Sequence, residues 1–446
     1  MAKDRDDPAT IPADEQPHPI PGNWRWTKLD SVSVFERGIT FPKSAKELSR
    51  RSGNIPCIRT ANIQDSLDLK SLIYVDEALL KGNRKKLLEA GDILFSSANS
   101  RELVGKCVYV ARTDFPMTFG GFTLNIRSAE GADNRFLFWY LRFQFLTGYF
   151  FAKATQTTNI ANINSKILGN CPLPLPPLAE QRRIAERIES LFTKLDEARE
   201  KAQAVVDGYE LRRAAILRKA FSGELTAQWR AESGISFSAW EDVPLESVCR
   251  SIFDGDHMPP PKAKSGIPFL VISNVNNGHL SYENTRFVSQ EYYNSISETR
   301  KPQVGDLLYT LVGSYGIPVV VDDSRPFCFQ RHMALLKLEK IDTYYLWYQL
   351  QSLKFYHMAS EIATGSAQLT VPIKGLRKIP VTLPSAEEQK EIVRVLDSLL
   401  AKEEQTKSDA ERVLESVGLM KKALLGRAFR GLLGTNRPQE PPPEIP

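Results

Sequence analysis

Two short runs gather charge, glycine and small polar groups: Arg37-Gly38-Ile39-Thr40-Phe41-Pro42-Lys43-Ser44 and Asp254-Gly255-Asp256-His257. Others cluster around each. In the first half Arg59, Thr60 and Asn62 follow an apolar run, Asn99 and Arg101 close a Ser-rich loop, and Gln156-Thr157-Thr158-Asn159 form a third polar stretch. The second half answers with Lys262 and Lys264, Asn274 and Asn276, Ser314-Tyr315, Gln330-Arg331-His332, and Thr364, Ser366 and Gln368. Guanidinium and ammonium groups neutralise phosphates, and Asn, Gln and Arg pair bidentately with base edges in the major groove. One such cluster is an ordinary solvated loop. Recurrence at corresponding points of both halves is what points to the reading of a nucleic acid.

Catalytic patterns do not compete. Gly105-Lys106 runs into Cys107 and lacks the upstream glycine of a phosphate-cradling loop, no HExxH occurs, and no Gx[SC]xG elbow has a matching triad. The proline clusters Pro176-Pro177 and Pro259-Pro260-Pro261 lack the flanks of an amino-methyltransferase box. The expectation is a chain without a catalytic site, without a bound metal and without a cofactor of its own. An enzyme using Asp254, Asp256 and His257 as a metal cluster is one alternative, and a duplicated adaptor that binds only protein is the other. Five cysteines (Cys57, Cys107, Cys171, Cys249, Cys328) lie far apart with no CxxC pair, as in a reducing cytoplasm. Neither a signal peptide nor an apolar run of about 18 residues is present, so no membrane association is expected. A net charge of +5 tolerates nucleic acid without requiring it.

The elements that must position these loops come in two copies. Trp139-Tyr140 recurs as Trp347-Tyr348 at an offset of 208, and Glu180-Gln181 returns as Glu388-Gln389, Ala220-Phe221 as Ala428-Phe429. That register holds without a gap from 139 to 225, whereas upstream the offset drifts between 212 and 216. Loops therefore vary in the front part of each half, while the rear part keeps its geometry. The rear parts read as long helices. Ile184, Ile188, Leu191, Leu195, Ala198, Ala202, Val205 and Tyr209 step by four and three. So do Ile392, Leu396, Leu399, Glu403, Thr406, Ala410, Val413, Val417, Met420 and Leu424. This is a coiled-coil seam, polar at Glu403 and Thr406. Ser385 with Glu388 has capping-box spacing, Gly223 and Gly431 sit at C-terminal cap positions, and Gly208 and Gly418 interrupt the interiors. About 40 residues give roughly 60 Å of helix, too long for one narrow stripe to be stable alone, so the two pack together. A pseudo-two-fold axis across them makes the pair antiparallel, and one along them parallel; antiparallel is the arrangement expected here.

The front parts carry short β-branched runs (92–95, 107–110, 267–272, 318–321) and one aromatic helix each (136–149, 344–358), an α+β layout. The organisation read from the chain is a disordered segment 1–21, a front domain 22–175, a helical region 176–230, a linker 231–239, a second front domain 240–383, a second helical region 384–433, and a loose proline-rich tail 434–446.

With these residues in view, the chain resembles the specificity subunits of type I restriction-modification enzymes. The resemblance rests on PLPPLAEQRRIAERIESLF (174–192) and its copy VTLPSAEEQKEIVRVLDSLL (381–400), on the helix ends AFSGEL and AFRGLL, and on Arg37-Gly38-Ile39-Thr40-x-Pro42 and Asp254-Gly255-Asp256-His257-Met258-Pro259. It spans roughly Trp24 to Leu433, with Ser385-Ala386-Glu387 departing from a second proline-rich approach to the helix. It implies two target-recognition domains, each reading half of a bipartite, asymmetric site on double-stranded DNA. It also implies a coiled coil that sets the spacer and docks two methyltransferase subunits, motor-nuclease subunits that join them, and S-adenosylmethionine, ATP and Mg used by those partners. The recognition domains are the divergent part of such proteins, so no contact residue is carried over.

Overall fold

The computed structural model describes residues 10–156, 160–237, 240–256, 260–276, 278–366 and 368–445. They form two compact units. One comprises residues up to Lys201 together with Arg412 onward, and the other Ala202–Glu411. Packing therefore divides the chain differently from its order: each unit holds one front domain, the start of the helix that follows it, and the end of the other long helix.

The front domains repeat one design. In the first, an antiparallel sheet runs in the order Ser33–Arg37, Thr123–Ser128, Ile93–Ser96, Cys107–Tyr109. The second has Cys249–Asp254, Met333–Leu338, Leu307–Thr310, Pro318–Val320 in the same order. A three-stranded sheet accompanies each, with a parallel pair that recurs as Cys57 beside Thr118 and Phe269 beside Cys328. Drifting loop lengths thus leave the strand order untouched. The repeated Gly-Asp ties this sheet together from within. Asp92 accepts from Asn125 Nδ2 (2.7 Å) and Arg127 Nε (2.6 Å), and Asp306 takes Lys337 Nζ at 2.9 Å across the same sheet.

Of the two aromatic helices, the first covers Asn134–Leu146 and is succeeded, after Gly148 at φ +82°, by Tyr149–Lys153. The second, expected as one helix over 344–358, is two: Thr343–Leu350 and Leu353–Glu361. Ser352 makes the break, its hydroxyl accepting from Phe355 N at 3.3 Å as an N-cap.

The long helices are Leu178–Asp207, Tyr209–Phe221 and Ala386–Ala428. Within the first unit Ile184, Ile188 and Phe192 share a core with Leu425, Ala428 and Phe429, and Asp196 meets Lys421 Nζ at 2.5 Å. Within the second, Leu217 and Ala220 share a core with Ile392 and Leu396, Arg212 Nε reaches Glu403 at 2.7 Å, and Tyr209 reaches Glu404 at 2.5 Å. As one residue number rises its partner's falls, so the helices pair antiparallel in each unit. The seam shifts by one residue in the polar stretch. Val413 (41% exposed) and Met420 (53%) lie outside it and Thr406 is exposed, while Lys407, Leu414 and Lys421 face inward. Three of the inward positions are polar, and they serve as pairing sites: Glu403 with Arg212, Lys407 4.7 Å over the Tyr209 ring, and Lys421 4.9 Å over Phe192. Periodicity alone places a stripe only to within one residue when its occupants are charged. Ile184, Ile188, Ile392 and Leu396 are buried, whereas Leu191, Leu195, Val205, Leu399 and Leu424 are half-buried.

The segments at the two ends are more ordered than their composition implies. Ile11 is buried with its N–H on Trp26 O (3.1 Å), and the Trp26 indole donates to His18 O (3.1 Å). Near the other end Glu440 takes both Arg183 terminal nitrogens at 2.9 and 2.7 Å, and Asn23 Nδ2 donates to Arg437 O at 3.1 Å. Fixed ion pairs and backbone bridges compensate for the missing apolar periodicity. Residues 1–9 and 446 of these segments lie outside the described residues. The expected linker is shortened, because Ala227–Ser233 is a helix closed by Gly234 in the left-handed conformation. Of the rest of that stretch, residues 238 and 239 are not described.

Candidate nucleic-acid interface

The repeated Glu-Gln pair fixes each front domain to its helix. Glu180 is buried and accepts the Trp24 indole N–H at 3.0 Å, as Glu388 accepts that of Trp240 at 2.7 Å. Gln181 Oε1 accepts Asp133 N (2.9 Å) and its amide donates to Pro176 O (2.9 Å); Gln389 does the same with Asp342 N (2.8 Å) and Pro384 O (2.9 Å). One half of the expected capping box forms, Glu388 N donating to Ser385 Oγ at 3.3 Å, but the carboxylate turns away to Trp240, Thr226 and Arg230. The Ala-Phe ends pack on the same frame, Phe429 on Phe136 (5.5 Å) and Tyr140 (5.0 Å), Phe221 on Tyr345 (5.6 Å). Gly223 and Gly431, with φ of +78° and +72°, terminate those helices as expected.

On this frame the two Gly-containing runs occupy the same corner. In the first unit Ile39 bridges Gly120 in parallel fashion, and Gly120 N donates to Ile58 O at 2.9 Å. In the second, Asp256 bridges Gln330, and Gln330 N donates to Leu270 O at 3.0 Å. The preceding glycine is demanded by the close approach of two backbones. A Cβ on Gly38 would lie 2.2 Å from Gly120 O, and one on Gly255 2.2 Å from Phe329 O.

Around the first corner Arg37, Thr40, Arg59 and Thr60 come together and line a cleft of about 320 Å³ with Phe41, Lys46, Gly120, Gly121 and Phe122. Arg37 Nε donates to Gly121 O (3.2 Å) and Arg59 Nη2 to Ser71 O (3.0 Å), which holds both guanidiniums at the cleft. Lys43 and Ser44 are exposed on the short turn Lys43–Ala45. Arg101 lies 4.7 Å over Phe151 and donates to Gln156 Oε1 at 3.3 Å, and the adjoining loop is tied to the corner by Ser97 N on Phe122 O (3.0 Å). Thr157 and Asn159 fall outside the described residues.

The second corner carries other chemistry: Gln330, the exposed Arg331, the half-buried His332, and Asp256, which accepts the Tyr292 hydroxyl at 2.8 Å. Burial and the neighbouring Arg331 push the His332 imidazole below its usual pKa, so it is neutral at pH 7. Asp254 offers its carbonyl to Arg300 Nη2 at 2.9 Å. Residues 313–316 meet residues 368–370 through Gly313 N on Leu369 O (3.0 Å), and Thr364 bridges Thr370, which gathers Ser314, Thr364 and Gln368; Ser366 lies in the same loop. Tyr315 stacks on Tyr356 at 5.5 Å and donates to Ser360 Oγ at 3.0 Å. Lys262 and Lys264 are exposed, and the Asn276 backbone pairs with His279. His257 is not described. Among the described residues no group of three or more His, Cys, Asp or Glu is placed to hold a metal.

Two of the sequence candidates, Asn62 and Asn274, are structural, and a third, Asn99, is partly engaged. Asn62 is fully buried, its Oδ1 accepting Arg59 N (2.9 Å) and its Nδ2 reaching Asp68 O (3.0 Å). Asn274 repeats this with Val271 N (2.9 Å) and Ser281 O (3.0 Å). Both amides are consumed by their own loops and cannot read a base. Asn99 bonds with Ser96 Oγ at 3.1 Å and Ser100 N at 2.9 Å. Sequence reasoning missed Lys46 and Phe122, for neither belongs to a recognisable run. The five cysteines are free and buried, their thiols pushed up to about 12 by desolvation. No described helix is long and apolar enough to cross a membrane.

Two unlike polar corners thus stand on one repeated frame, and comparison with known proteins gives the family to which that frame belongs. Residues 21–205 and 238–415 both match the type I restriction modification DNA specificity domain, and the chain belongs to that family. It is 26% identical over 424 residues to the type I restriction enzyme EcoKI specificity subunit of Escherichia coli K12, covering 93% of this chain and 90% of that one. It is 28% identical over 413 residues to the MjaVIII specificity subunit of Methanocaldococcus jannaschii (89% and 92%). Its fold is that of the HsdS subunit from Thermoanaerobacter tengcongensis, with a TM-score of 0.67 at 22% identity over 94% of this chain and 100% of that one. The resemblance drawn from the Glu-Gln and Ala-Phe motifs therefore holds, and the chain is a DNA specificity subunit rather than a protein-only adaptor.

Proposed function

We propose that each front domain reads one half of a bipartite, asymmetric DNA site through the corner just described. The carrying observation is that structurally equivalent corners bear different side chains: Arg37, Lys46 and Arg59 beside hydroxyls in one, and Gln330, Arg331 and His332 in the other. A common frame keeps each reader in the same relation to its helix, and unlike side chains make the two half-sites differ. The chain itself carries no catalysis and no cofactor. Methyltransferase and motor-nuclease subunits using S-adenosylmethionine, ATP and Mg supply the chemistry, in the cytoplasm, and the paired helices dock the methyltransferases and set the spacer. Relatives named as specificity subunits of type I restriction enzymes support this assignment.

The test is the salt dependence of binding to a duplex that carries the motif methylated in the source genome. Each cation that neutralises a phosphate adds about 0.9 to the slope of log K against log salt. Arg37→Ala, Lys46→Ala and Arg59→Ala together are expected to lower that slope by about 2.7. An unchanged slope would reject the cleft as a DNA surface.

A further inference from the structure

We propose that Phe122 is a specificity-determining residue of the first reader, making apolar contact with the C5-methyl of a thymine in its half-site. This rests on the DNA-reading function proposed above and goes further by naming a side chain and the feature it recognises. Phe122 is 58% exposed and lines the cleft beside its cations, so its ring is open to whatever fills that cleft. Its backbone is nonetheless held on several sides. Thr123 N donates to Gly120 O (2.9 Å) to close the turn, while Phe122 O accepts from both Ser97 N (3.0 Å) and Ala98 N (3.3 Å). The backbone that carries the ring is thus fixed, and on making contact the ring gives up only its own two side-chain torsions. It lines the same cleft as Arg37, Lys46 and Arg59, whose charges complement the phosphates of the duplex proposed above as its occupant. Of the groups a base pair projects into the major groove, the thymine C5-methyl is the one suited to apolar contact.

The second unit points to the same turn. There Met333 N donates to Gln330 O (3.1 Å), and His332 O accepts Leu311 N (2.8 Å), so His332 stands where Phe122 stands. One position thus presents a hydrocarbon ring in one reader and a neutral hydrogen-bonding ring in the other. A position whose backbone is kept while its chemistry changes is where a base-reading side chain belongs.

The experiment uses the full chain assembled with its partner subunits, first to map the methylated motif and then to measure binding to duplexes in which each thymine of the motif is replaced singly by deoxyuridine. For the unaltered chain, one replacement in one half-site is expected to weaken binding about fourfold, the contribution of one buried methyl. Phe122→Ala should erase that difference and relax the methylated motif at that position alone, and Phe122→Leu should retain part of it. Thermal midpoints equal to that of the unaltered chain are expected, since the ring is exposed. The proposal is overturned if no deoxyuridine replacement matters, if that half-site has no A·T pair, or if Phe122→Ala leaves the pattern unchanged while the cleft cations still set the salt slope. Loss of the slope effect as well would instead reject the DNA-reading function of the cleft.

Discussion

The joint at the start of the second long helix makes a demanding prediction. Glu388 is buried and receives Arg230 Nη1 at 2.5 Å, Thr226 Oγ1 at 2.6 Å and the Trp240 indole at 2.7 Å. Arg230 is buried as well, donates to Gly223 O at 2.6 Å, and lies 4.8 Å over Phe237. Arg230→Met keeps the aliphatic stem and removes the cation, which leaves a buried carboxylate with neutral donors only. Such a loss costs about 3–5 kcal/mol. With a urea slope of about 2 kcal/mol per M, that is a fall of roughly 2 M in the unfolding midpoint. Glu388→Gln alone strands the guanidinium and is expected to be similarly harmful. The double variant replaces the pair with uncharged groups of like size and should recover most of the loss, because burying both charges is itself expensive. Urea unfolding followed by Trp fluorescence, run as a double-mutant cycle, reads the coupling directly. A cost below about 1 kcal/mol for Arg230→Met, the range of exposed pairs, would refute this account of the joint. A double variant no better than the sum of the singles would refute it too.

The first unit answers the same need differently. Burial raises the Glu180 carboxyl above its ordinary value of 4.5, against the opposing Trp24 hydrogen bond and Arg183. A raised folded-state pKa means the folded chain keeps this proton longer than the unfolded one, so its contribution to stability falls as pH rises from about 4.5 through the folded value. Glu180→Gln should therefore gain on the unaltered chain across that window and level off above it, measured as urea midpoints along a pH series. Gly38→Ala places a methyl 2.2 Å from Gly120 O. It should cost about 1–3 kcal/mol in the thermal unfolding of the first unit and weaken reading of one half-site only, while Gly22→Ala, with open space around it, is near neutral. Gly418→Ala, mid-helix with nothing within 4 Å of the added carbon, should stabilise by roughly 1 kcal/mol in the same assay.

The chain by itself determined the duplication, the long helices, their caps and the family, because these depend on spacing, and spacing survives in sequence. Ile184, Ile188, Ile392 and Leu396 were legible as seam residues since one apolar stripe on a long helix has only one face to bury. Lys407 and Lys421 were not, because a charged residue declares itself inward only through its partner, here Tyr209 for one and Asp196 and Phe192 for the other. Tertiary structure alone decided that each unit takes its helices from both halves of the chain, since Phe429 finds Tyr140 and Phe221 finds Tyr345 only after the helices pair antiparallel. It also sorted the polar loops. Asn62 and Asn274 have the composition of readers, but their amides are spent within their own loops. Lys46 and Phe122 have no motif and stand in the cleft, because distant strands converge on the corner that Gly38 lets close. Whether a polar side chain faces a ligand or its own backbone is settled by contacts across some tens of residues, which a linear pattern does not contain.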